Sequence, residues 1–285
     1  MASRPGKVAF YRPGNSFPAL SVTGRACDLG CDHCRGRYLE GMAPVADGEE
    51  LKAIAKSIHE RGARGFLLSG GCDAEGHVPL SPFLAAVSEV KRSTPLLVNL
   101  HTGLLDLPGE AEHLVACGAD ALSVDVVQDQ KVIRELLHLK RGPEDYRRTL
   151  ELLFESGARN VVPHICIGLP GHSSQGEERA VRLVSRFPVR ALVLLSFLPA
   201  RGTPLAGAGT APADHALQIA QLALAEVAAP VLLGCMRPRG RWQLEVESIK
   251  AGVAGVAMPS ARTVEWAEES GLHIEWRREC CALHR

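Results

Sequence analysis

Three closely spaced cysteines constrain the fold of this chain more than any other feature. Cys27, Cys31 and Cys34 follow the spacing C-x-x-x-C-x-x-C, and a loop wound this tightly directs three thiolates at one point. Three soft thiolates suit an iron–sulfur cluster, whereas a closed structural zinc site normally takes four ligands. The spacing therefore predicts a metal centre with one open position, where chemistry takes place.

A glycine pair after the second predicted strand adds to this signal. Apolar residues at 19–22 lead into the cysteine loop, and a second apolar run at 65–68 leads into Gly70 and Gly71. A glycine pair alone often only forms a turn. In this order and at this separation, the cysteines and glycines resemble the radical S-adenosylmethionine (SAM) superfamily. The resemblance implies a 4Fe–4S cluster on the three cysteines, SAM on its open iron, and Gly70 and Gly71 at the methionine amino group.

The composition excludes several classes of partner. Of the 285 residues, 46% are hydrophobic and 22% are charged, and 32 basic residues balance 32 acidic ones. This balance favours no nucleic-acid partner, no apolar run is long enough to cross a membrane, and the first residues contain no signal-peptide core. Nine cysteines without a secretion signal indicate a reducing compartment and metal chemistry. The sequence therefore predicts a cytoplasmic protein that binds neither nucleic acid nor membrane.

Strands and helices alternate along the chain. Apolar runs predict eight strands, most of them buried on both faces, and amphipathic stretches between them predict helices. This alternation predicts an α/β fold, a (β/α)8 TIM-type radical SAM barrel, with an incomplete six-stranded barrel as the alternative. Residues 1–260 would form the barrel, and residues 261–285 a C-terminal extension with a cysteine-bearing tail, packing over or beside the barrel rim. The predicted strands cover residues 19–25, 65–71, 96–103, 121–127, 160–169, 191–199, 231–236 and 253–259.

The stretch from residue 121 to residue 171 resembles biotin synthase and its relatives. The resemblance implies that Ser123 and Asp125 contact the SAM ribose, and that Arg141 pairs with the SAM carboxylate, a task suited to a guanidinium fork. It also implies that Cys166 and His33 lie near the adenine. From the residues alone, Asp125 would form a hydrogen bond at the barrel rim and Arg141 would be a solvated helix charge. The matching segments are Ser123-Val124-Asp125, Lys140-Arg141 and His164-x-Cys166-x-Gly168.

Four further cysteines predict a second metal centre. Cys72 and Cys235 follow the second and seventh predicted strands, and the tail is long enough to bring Cys280 and Cys281 over the same rim. Four thiolates would hold an auxiliary 4Fe–4S cluster, although vicinal cysteines near a chain end can also be frayed and idle. Cys117 is predicted to be a small buried hydrophobe.

The pattern of glycines, cysteines and arginines resembles one component of the two-protein lipoyl synthases. The resemblance implies that a 5′-deoxyadenosyl radical removes hydrogen from a protein-bound octanoyl chain and that the auxiliary cluster supplies sulfur. It implies three partners: an octanoylated lipoyl carrier protein or domain, a second radical SAM lipoyl synthase component, and a low-potential electron donor such as ferredoxin. The matching segments are Ser69-Gly70-Gly71-Cys72-Asp73, Cys235-Met236-Arg237-Pro238-Arg239-Gly240 and Cys280-Cys281.

Other functions stay open on the sequence. One is another biotin synthase-like radical SAM enzyme, catalysing biotin-type sulfur insertion or acting as a mutase or maturase; a second is a non-catalytic carrier of an iron–sulfur cluster. The carrier protein is expected to dock on a cluster of arginines; the alternatives are that these arginines form a solvated loop or bind SAM. These arginines are Arg237, Arg239 and Arg241, with Arg201 in the loop at residues 199–212.

Overall fold

A curled, fully parallel β-sheet forms the centre of the structure, a computed structural model that describes residues 6–170 and 174–285. The prediction that the first residues contain no signal-peptide core falls partly on residues 1–5, which lie outside these ranges. The described strands are β1 (Lys7–Tyr11), β2 (Ala19–Ser21), β3 (Ala43–Pro44), β4 (Gly65–Ser69), β5 (Leu97–Thr102), β6 (Ala121–Asp125), β7 (Val161–Ile167), β8 (Leu192–Ser196), β9 (Val231–Leu233), β10 (Gly255–Ala257) and β11 (His273–Arg277).

Neighbouring strands pair in the order β11-β1-β10-β9-β8-β7-β6-β5-β4-β2-β3, and every pair is parallel. Parallel neighbours require crossover connections, which helices usually supply. In the described residues the helices are α1 (Gly48–Glu60), α2 (Leu84–Ser93), α3 (Pro108–Ala116), α4 (Pro143–Glu155), α5 (Ser174–Val184), α6 (Ala213–Glu226), α7 (Trp242–Ala251) and α8 (Ala261–Glu269).

The first helix shows how the sequence forms these crossovers. The Asp47 carboxylate caps α1 by accepting a hydrogen bond from the backbone N–H of Glu50 at 2.9 Å. Leu51, Ala55 and Ile58 repeat at helical spacing and are buried in the layer between helices and sheet. The same layer of buried apolar side chains continues between the other helices and the sheet. Packing in this outer core stabilises the curled shape of the sheet.

The α/β class and the TIM-type barrel architecture are confirmed, but the count of eight strands is wrong. All eight predicted runs contain a strand, and each strand is shorter than its run because the last residues turn into loops. The sequence missed β1, β3 and β11. Because β1 pairs with β10 and β11 pairs with β1, the sheet does not close between the first and eighth predicted strands. It is an open, curled sheet of eleven strands whose edges are β3 and β11.

The C-terminal tail lies inside the barrel, not over its rim as predicted. Cys281, Ala282 and Leu283 are almost completely buried among inward-facing side chains of the strands. The backbone carbonyl of His284 accepts a hydrogen bond from Arg190 at 3.2 Å, just before β8 begins. Contacts near the amino ends of strands therefore place the tail as the floor of the barrel interior.

The predicted division at residue 260 does not appear in the fold. Within residues 261–285, helix α8 joins the outer layer and β11 extends the central sheet beside β1. These elements share the sheet and the apolar core with the rest of the chain because their apolar faces are buried there. Among the helices of the described residues, none combines the length and apolarity needed to span a membrane.

Candidate active site

The cysteine loop connects β2 to β3 at the carboxyl end of the sheet. The Thr23 hydroxyl donates to the carbonyl of Ala26 at 2.9 Å, which closes the first turn of the loop. Gly30 has φ +57°, a conformation that favours glycine, and it reverses the chain immediately before Cys31. The backbone N–H of Cys34 then donates to the carbonyl of Cys31 at 3.2 Å. Local turns thus fold the predicted motif into a compact loop.

The thiols of Cys31 and Cys34 lie together, with the His33 ring within 4.8 Å. A hydrogen bond from the Cys31 thiol, assisted by His33, lowers the pKa of Cys34 to about 4. The same bond, together with burial, raises the pKa of Cys31. Nδ1 of His33 is buried and has no hydrogen-bond partner in the described part of the chain. The Cys27 sulfur stands on the other side of the loop, where it accepts a hydrogen bond from the backbone N–H of Cys72 at 3.4 Å.

Gly70 and Gly71 lie against the cysteine loop, and packing alone requires glycine at the second position. A Cβ at Gly71 would meet the carbonyl oxygen of Ala26 at 2.0 Å and the Cβ of Cys27 at 2.6 Å. The backbone N–H of Gly71 donates to the Thr23 hydroxyl at 2.7 Å. The two loops are therefore interlocked, while the predicted contact between these glycines and SAM stays a prediction.

Cys72 belongs with the first cysteine set, not with the tail cysteines as the sequence suggested. The backbone carbonyl of Cys72 accepts a hydrogen bond from the backbone N–H of Asp28 at 2.8 Å. The loop after β4 therefore contacts the cysteine loop on both sides of Gly71. Burial raises the pKa of the Cys72 thiol to about 12, and the neighbouring Cys27 and Asp125 add to this. The length of the tail could not predict the contact between Cys72 and the cysteine loop, because that contact depends on how two separate loops pack.

Polar side chains on β5, β6 and β7 form one wall of the barrel interior. His101 is paired in register with Ser123, and Asp125 with His164. Ser123 is buried, and its hydroxyl donates to the Asn99 amide oxygen at 2.8 Å. Asp125 lies higher, with its side chain 61% exposed to an open interior, 3.5 Å from Nε2 of His101. Ser123 and Asp125 thus sit at two depths, and their predicted contacts with a ribose stay a prediction.

Opposing effects set the charges on this polar wall. Burial raises the pKa of Asp125, but His101, His164 and His33 together outweigh burial and lower it to about 2. His164 stacks on His101 with a centroid separation of 5.2 Å. Burial and the neighbouring His101 lower the pKa of His164 to about 4. Since Nδ1 of His164 donates to the carbonyl of Val162 at 3.0 Å, its Nε2 is left as an acceptor.

Two predicted adenine contacts face each other across this interior. Cys166 follows His164 on the same face of β7 and is half-buried, and burial raises its pKa. Tyr38 comes after the cysteine loop, and its hydroxyl donates to the carbonyl of Leu198 at 3.3 Å. The Tyr38 ring lies 6.0 Å from the His33 ring, and its hydroxyl is close enough to Cys34 and Cys166 to be affected by both charges. The structure therefore brings His33 and Cys166 to one region.

Sequence motifs match a known family over more than half of the chain. Residues 21–184 of the 285 match the radical SAM superfamily domain. The chain belongs to the radical SAM superfamily. Membership implies a 4Fe–4S cluster and SAM. A comparison with curated protein sequences gives no significant match.

Solved structures with the same fold include three other radical SAM proteins. A [FeFe]-hydrogenase maturase, HydG, is similar with a TM-score of 0.64 and 13% identity, over 91% of this chain and 58% of that chain. HydG from Carboxydothermus hydrogenoformans also gives 0.64, with 16% identity, 94% of this chain and 68% of that chain. Methylornithine synthase (PylB) gives 0.63, with 17% identity, 94% of this chain and 84% of that chain. At these identities the likeness shows a shared fold.

The residues present fit the cluster of a radical SAM enzyme. Cys27, Cys31 and Cys34 are free cysteines in one loop at the carboxyl end of the sheet. The Cys72 N–H already directs a hydrogen bond at the Cys27 sulfur, and such bonds tune iron–sulfur clusters. The environment of Cys34 favours the thiolate, the form that binds metal.

Arg141 does not stand free at the predicted radical SAM site. Its guanidinium contacts the Asp106 carboxylate at 2.7 Å and donates to the carbonyl of Glu75 at 3.2 Å. His77 bridges the Asp73 and Asp106 carboxylates, at 3.1 Å and 3.0 Å. Arg141 therefore ties together the loops after β4, β5 and β6, and its predicted pairing with a SAM carboxylate stays a prediction.

A second set of cysteines lies deeper in the radical SAM barrel. Cys280 reaches up from the floor, and its sulfur accepts a hydrogen bond from the Asn99 amide at 3.7 Å. A bond from the Cys281 thiol lowers the pKa of Cys280 to about 7, and the pKa of Cys281 is raised in turn. Cys235 follows β9, and burial and the nearby Cys280 raise its pKa. Cys280 and Cys281 are therefore neighbours in the floor, while Cys235 is exposed and close enough to Cys280 for their charges to interact.

The predicted arginine cluster is wrong for its first member. Arg237 is 3% exposed and forms an ion pair with the equally buried Glu245 at 2.5 Å. Its guanidinium also donates to the carbonyls of Gly234 at 2.6 Å and Met258 at 3.0 Å. Arg241 is half-buried against the loop at residues 210–211. Sequence could not show this burial, because the partner carboxylate lies on a different element.

Proposed function

We propose that this radical SAM enzyme inserts sulfur into an octanoyl chain carried on a lipoyl carrier protein or domain. The observation that carries the proposal is the placement of two cysteine sets at different depths of one barrel interior. Cys27, Cys31 and Cys34 lie at the mouth, Cys280 and Cys281 lie in the floor, and Cys235 follows the carboxyl end of β9. When bound at the mouth, the cluster and SAM supply a 5′-deoxyadenosyl radical that removes hydrogen from the substrate. Sulfur for the product comes from an auxiliary cluster on the deeper set.

An apolar wall supports an alkyl substrate. Leu67 on β4 and Leu195 on β8 face the interior and are only partly buried, above a layer that includes Val193 and Leu232. These two leucines flank the polar side chains of β5, β6 and β7, because β4 pairs with β5 and β8 pairs with β7. Burying a methylene group against either leucine contributes about 0.8 kcal/mol. An octanoyl chain can therefore rest against a leucine at the edge of the polar wall while the polar side chains hold SAM.

The residues of the floor have a defined task in this proposal. Asn99 holds Cys280 by its amide donor, and Ser123 fixes the Asn99 amide by donating to its oxygen. Asn99 and Ser123 are buried, so this bonded chain keeps the Cys280 sulfur directed into the interior. The proposal includes a second radical SAM component and a low-potential donor such as ferredoxin as partners.

Iron and sulfide analysis tests the deeper site. We expect the anaerobically reconstituted protein to hold two clusters, about eight iron atoms per chain. Replacing Cys27, Cys31 and Cys34 together with alanine should remove one cluster, and Cys280→Ser should remove the other while SAM still binds. Cys117→Ser is the matched control, because Cys117 is a buried thiol in the outer core. Four iron atoms that are insensitive to Cys280→Ser would exclude an auxiliary cluster.

A substrate comparison tests the reaction itself. The enzyme, its second component, SAM and a reductant are incubated with octanoyl-lysyl carrier protein, free octanoate or dethiobiotin. Mass spectrometry of the products should show sulfur in the carrier-bound chain only. If dethiobiotin or free octanoate is thiolated and the carrier-bound chain is not, lipoyl synthesis is the wrong assignment and the radical chemistry survives.

A different biotin synthase-like reaction is the second candidate, and the polar wall favours it. His101, Asp125 and His164 give the interior more hydrogen-bonding groups than an alkyl chain requires. A mutase or maturase acting on a small polar substrate would use them, and needs no sulfur donor. Release of 5′-deoxyadenosine by a protein with a single cluster supports this alternative. If SAM is not cleaved at all, the remaining function is that of a non-catalytic carrier of iron–sulfur clusters.

A further inference from the structure

Cys72 lies next to the cysteine loop but is not part of its motif. Its backbone is fixed to the cysteine loop by two hydrogen bonds, from its own N–H to the Cys27 sulfur at 3.4 Å and from the Asp28 N–H to its carbonyl at 2.8 Å. Gly71 allows this approach, because a side chain there would overlap Ala26 and Cys27. The geometry therefore holds Cys72 beside the site of the cluster.

The Cys72 thiol shares its surroundings with all three motif cysteines. It interacts electrostatically with Cys27 and Cys34, and Cys31 is in turn affected by Cys72. Cys72 therefore adds a fourth thiol beside the cysteine loop, next to Cys27, and a complete thiolate set for a 4Fe–4S cluster has four members.

Other nearby donors already have partners. Asp73 follows Cys72, but its carboxylate accepts from the His77 backbone at 2.8 Å and contacts the His77 ring. Asp125 lies beside His101. His33 is the remaining nearby donor, since its ring lies within 4.8 Å of Cys31 and Cys34 and its Nδ1 lacks a partner among the residues described.

We propose that Cys72 is a fourth thiolate ligand of the cluster on Cys27, Cys31 and Cys34 while SAM is absent, and that SAM displaces it. In the exchange, the bond from iron to the Cys72 sulfur breaks and bonds from iron to the SAM amino and carboxylate groups form. The released thiolate takes up the proton that the SAM ammonium group gives up when its nitrogen binds iron, and no electron is transferred. The fourth ligand would protect the open iron until the cosubstrate arrives.

Controlled oxidation of the reconstituted full-length enzyme tests the ligand. A cluster with three protein ligands loses its open iron readily and gives the EPR signal of a three-iron cluster. Without SAM, Cys72→Ala should form this signal at least several-fold faster than wild type. We count only the part of the three-iron EPR signal that disappears when SAM is present. SAM protects the cluster at the mouth of the barrel but not a deeper cluster, so this part reports on the mouth alone. Cys117→Ala is the control for loss of a remote thiol.

SAM affinity gives an independent measurement. A ligand that occupies the iron in nine-tenths of the molecules weakens SAM binding about tenfold, so Cys72→Ala should bind SAM about tenfold more tightly. Equilibrium dialysis measures this without turnover, and Cys72→Ser tests whether a weaker ligand gives an intermediate value.

Two outcomes would overturn the proposal. One is a Cys72→Ala protein with the oxidation rate and SAM affinity of wild type; the other is a His33→Ala protein that shows both changes when Cys72→Ala shows neither. A folded variant is confirmed by circular dichroism before either measurement. Neither outcome depends on sulfur insertion, so the proposed reaction stands or falls separately.

Discussion

Replacing Arg237 with methionine should destabilise the barrel more than any other single arginine change near the mouth. The guanidinium lies at 3% exposure, pairs with Glu245 at 2.5 Å and donates to the carbonyls of Gly234 and Met258. Glu245 also accepts from the backbone and hydroxyl of Ser260, both at 2.9 Å. Removing Arg237 leaves a buried carboxylate without its counter-charge and leaves backbone carbonyls without donors.

Removing one partner of a buried pair costs about 3–5 kcal/mol. For a chain of this length, 1 kcal/mol corresponds to roughly 2 °C, so Arg237→Met should lower the melting temperature by about 6–10 °C. Urea unfolding followed by circular dichroism measures the change in free energy. Arg239→Met is the matched control, because Arg239 is exposed and donates only to the carbonyl of Met258 at 3.2 Å, and it should change stability by no more than about 0.5 kcal/mol.

The pH dependence provides a second check on the same pair. Burial raises the pKa of Glu245, but Arg237 and the hydrogen bonds from Thr263 and Ser260 together outweigh burial, and the pKa is lowered overall. In wild type this contribution is present above the unfolded pKa, about 4.3, and is lost as pH falls through the folded value. In Arg237→Met the burial effect prevails and the pKa is raised, so Glu245 takes up a proton in the folded state. The deficit of the variant should therefore be smaller at pH 5 than at pH 7.

Two results would refute this reasoning. The first is an Arg237→Met protein as stable as Arg239→Met, and the second is a deficit that grows as the pH falls. The double variant Arg237→Met with Glu245→Met should be more stable than Arg237→Met alone, because no buried charge is left unpaired.

Three further predictions test the loop, the floor and the cluster. Gly71→Ala should cost about 1–3 kcal/mol because its Cβ would overlap Ala26, whereas Gly207→Ala, with open space around it, should be neutral in the same urea assay. Leu283→Ala should cost about 2–5 kcal/mol by urea unfolding because Leu283 is 1% exposed in the floor; an unchanged midpoint would mean that the tail is not packed there. Cys34→Ala should abolish SAM cleavage, and sustained 5′-deoxyadenosine production with dithionite would contradict the role of the cluster.

Local patterns predicted the barrel well. Each of the eight long apolar runs contains a strand, because strands buried on both faces need such runs. The sequence missed β3, which has two residues, and β11, whose exposed and polar residues hide it. It also missed β1, since the pairing of β1 with β10 joins distant parts of the chain.

Site residues were predictable where they were close in sequence. The cysteine loop follows from its own spacing, whereas the position of Cys72 depends on the packing of Gly71 against Cys27. The length of the tail could not predict its direction, which inward-facing apolar residues such as Leu283 decide. His101 and His164 are polar residues within two of the predicted strands. Only the strand register and the ring stacking show that the two side chains are in contact.

The pairing of β1 has a consequence for synthesis of the chain. Both of its neighbours, β10 and β11, are synthesised long after it. About 240 residues separate Tyr11 from Gly255, so at roughly 5–20 residues per second β1 waits about 12–50 s for its first partner. During this time an apolar strand with unpaired backbone groups is available to other nascent chains. Slower translation of the segment between β1 and β10 should therefore lower the yield of soluble protein, and a chaperone that binds apolar strands should restore it.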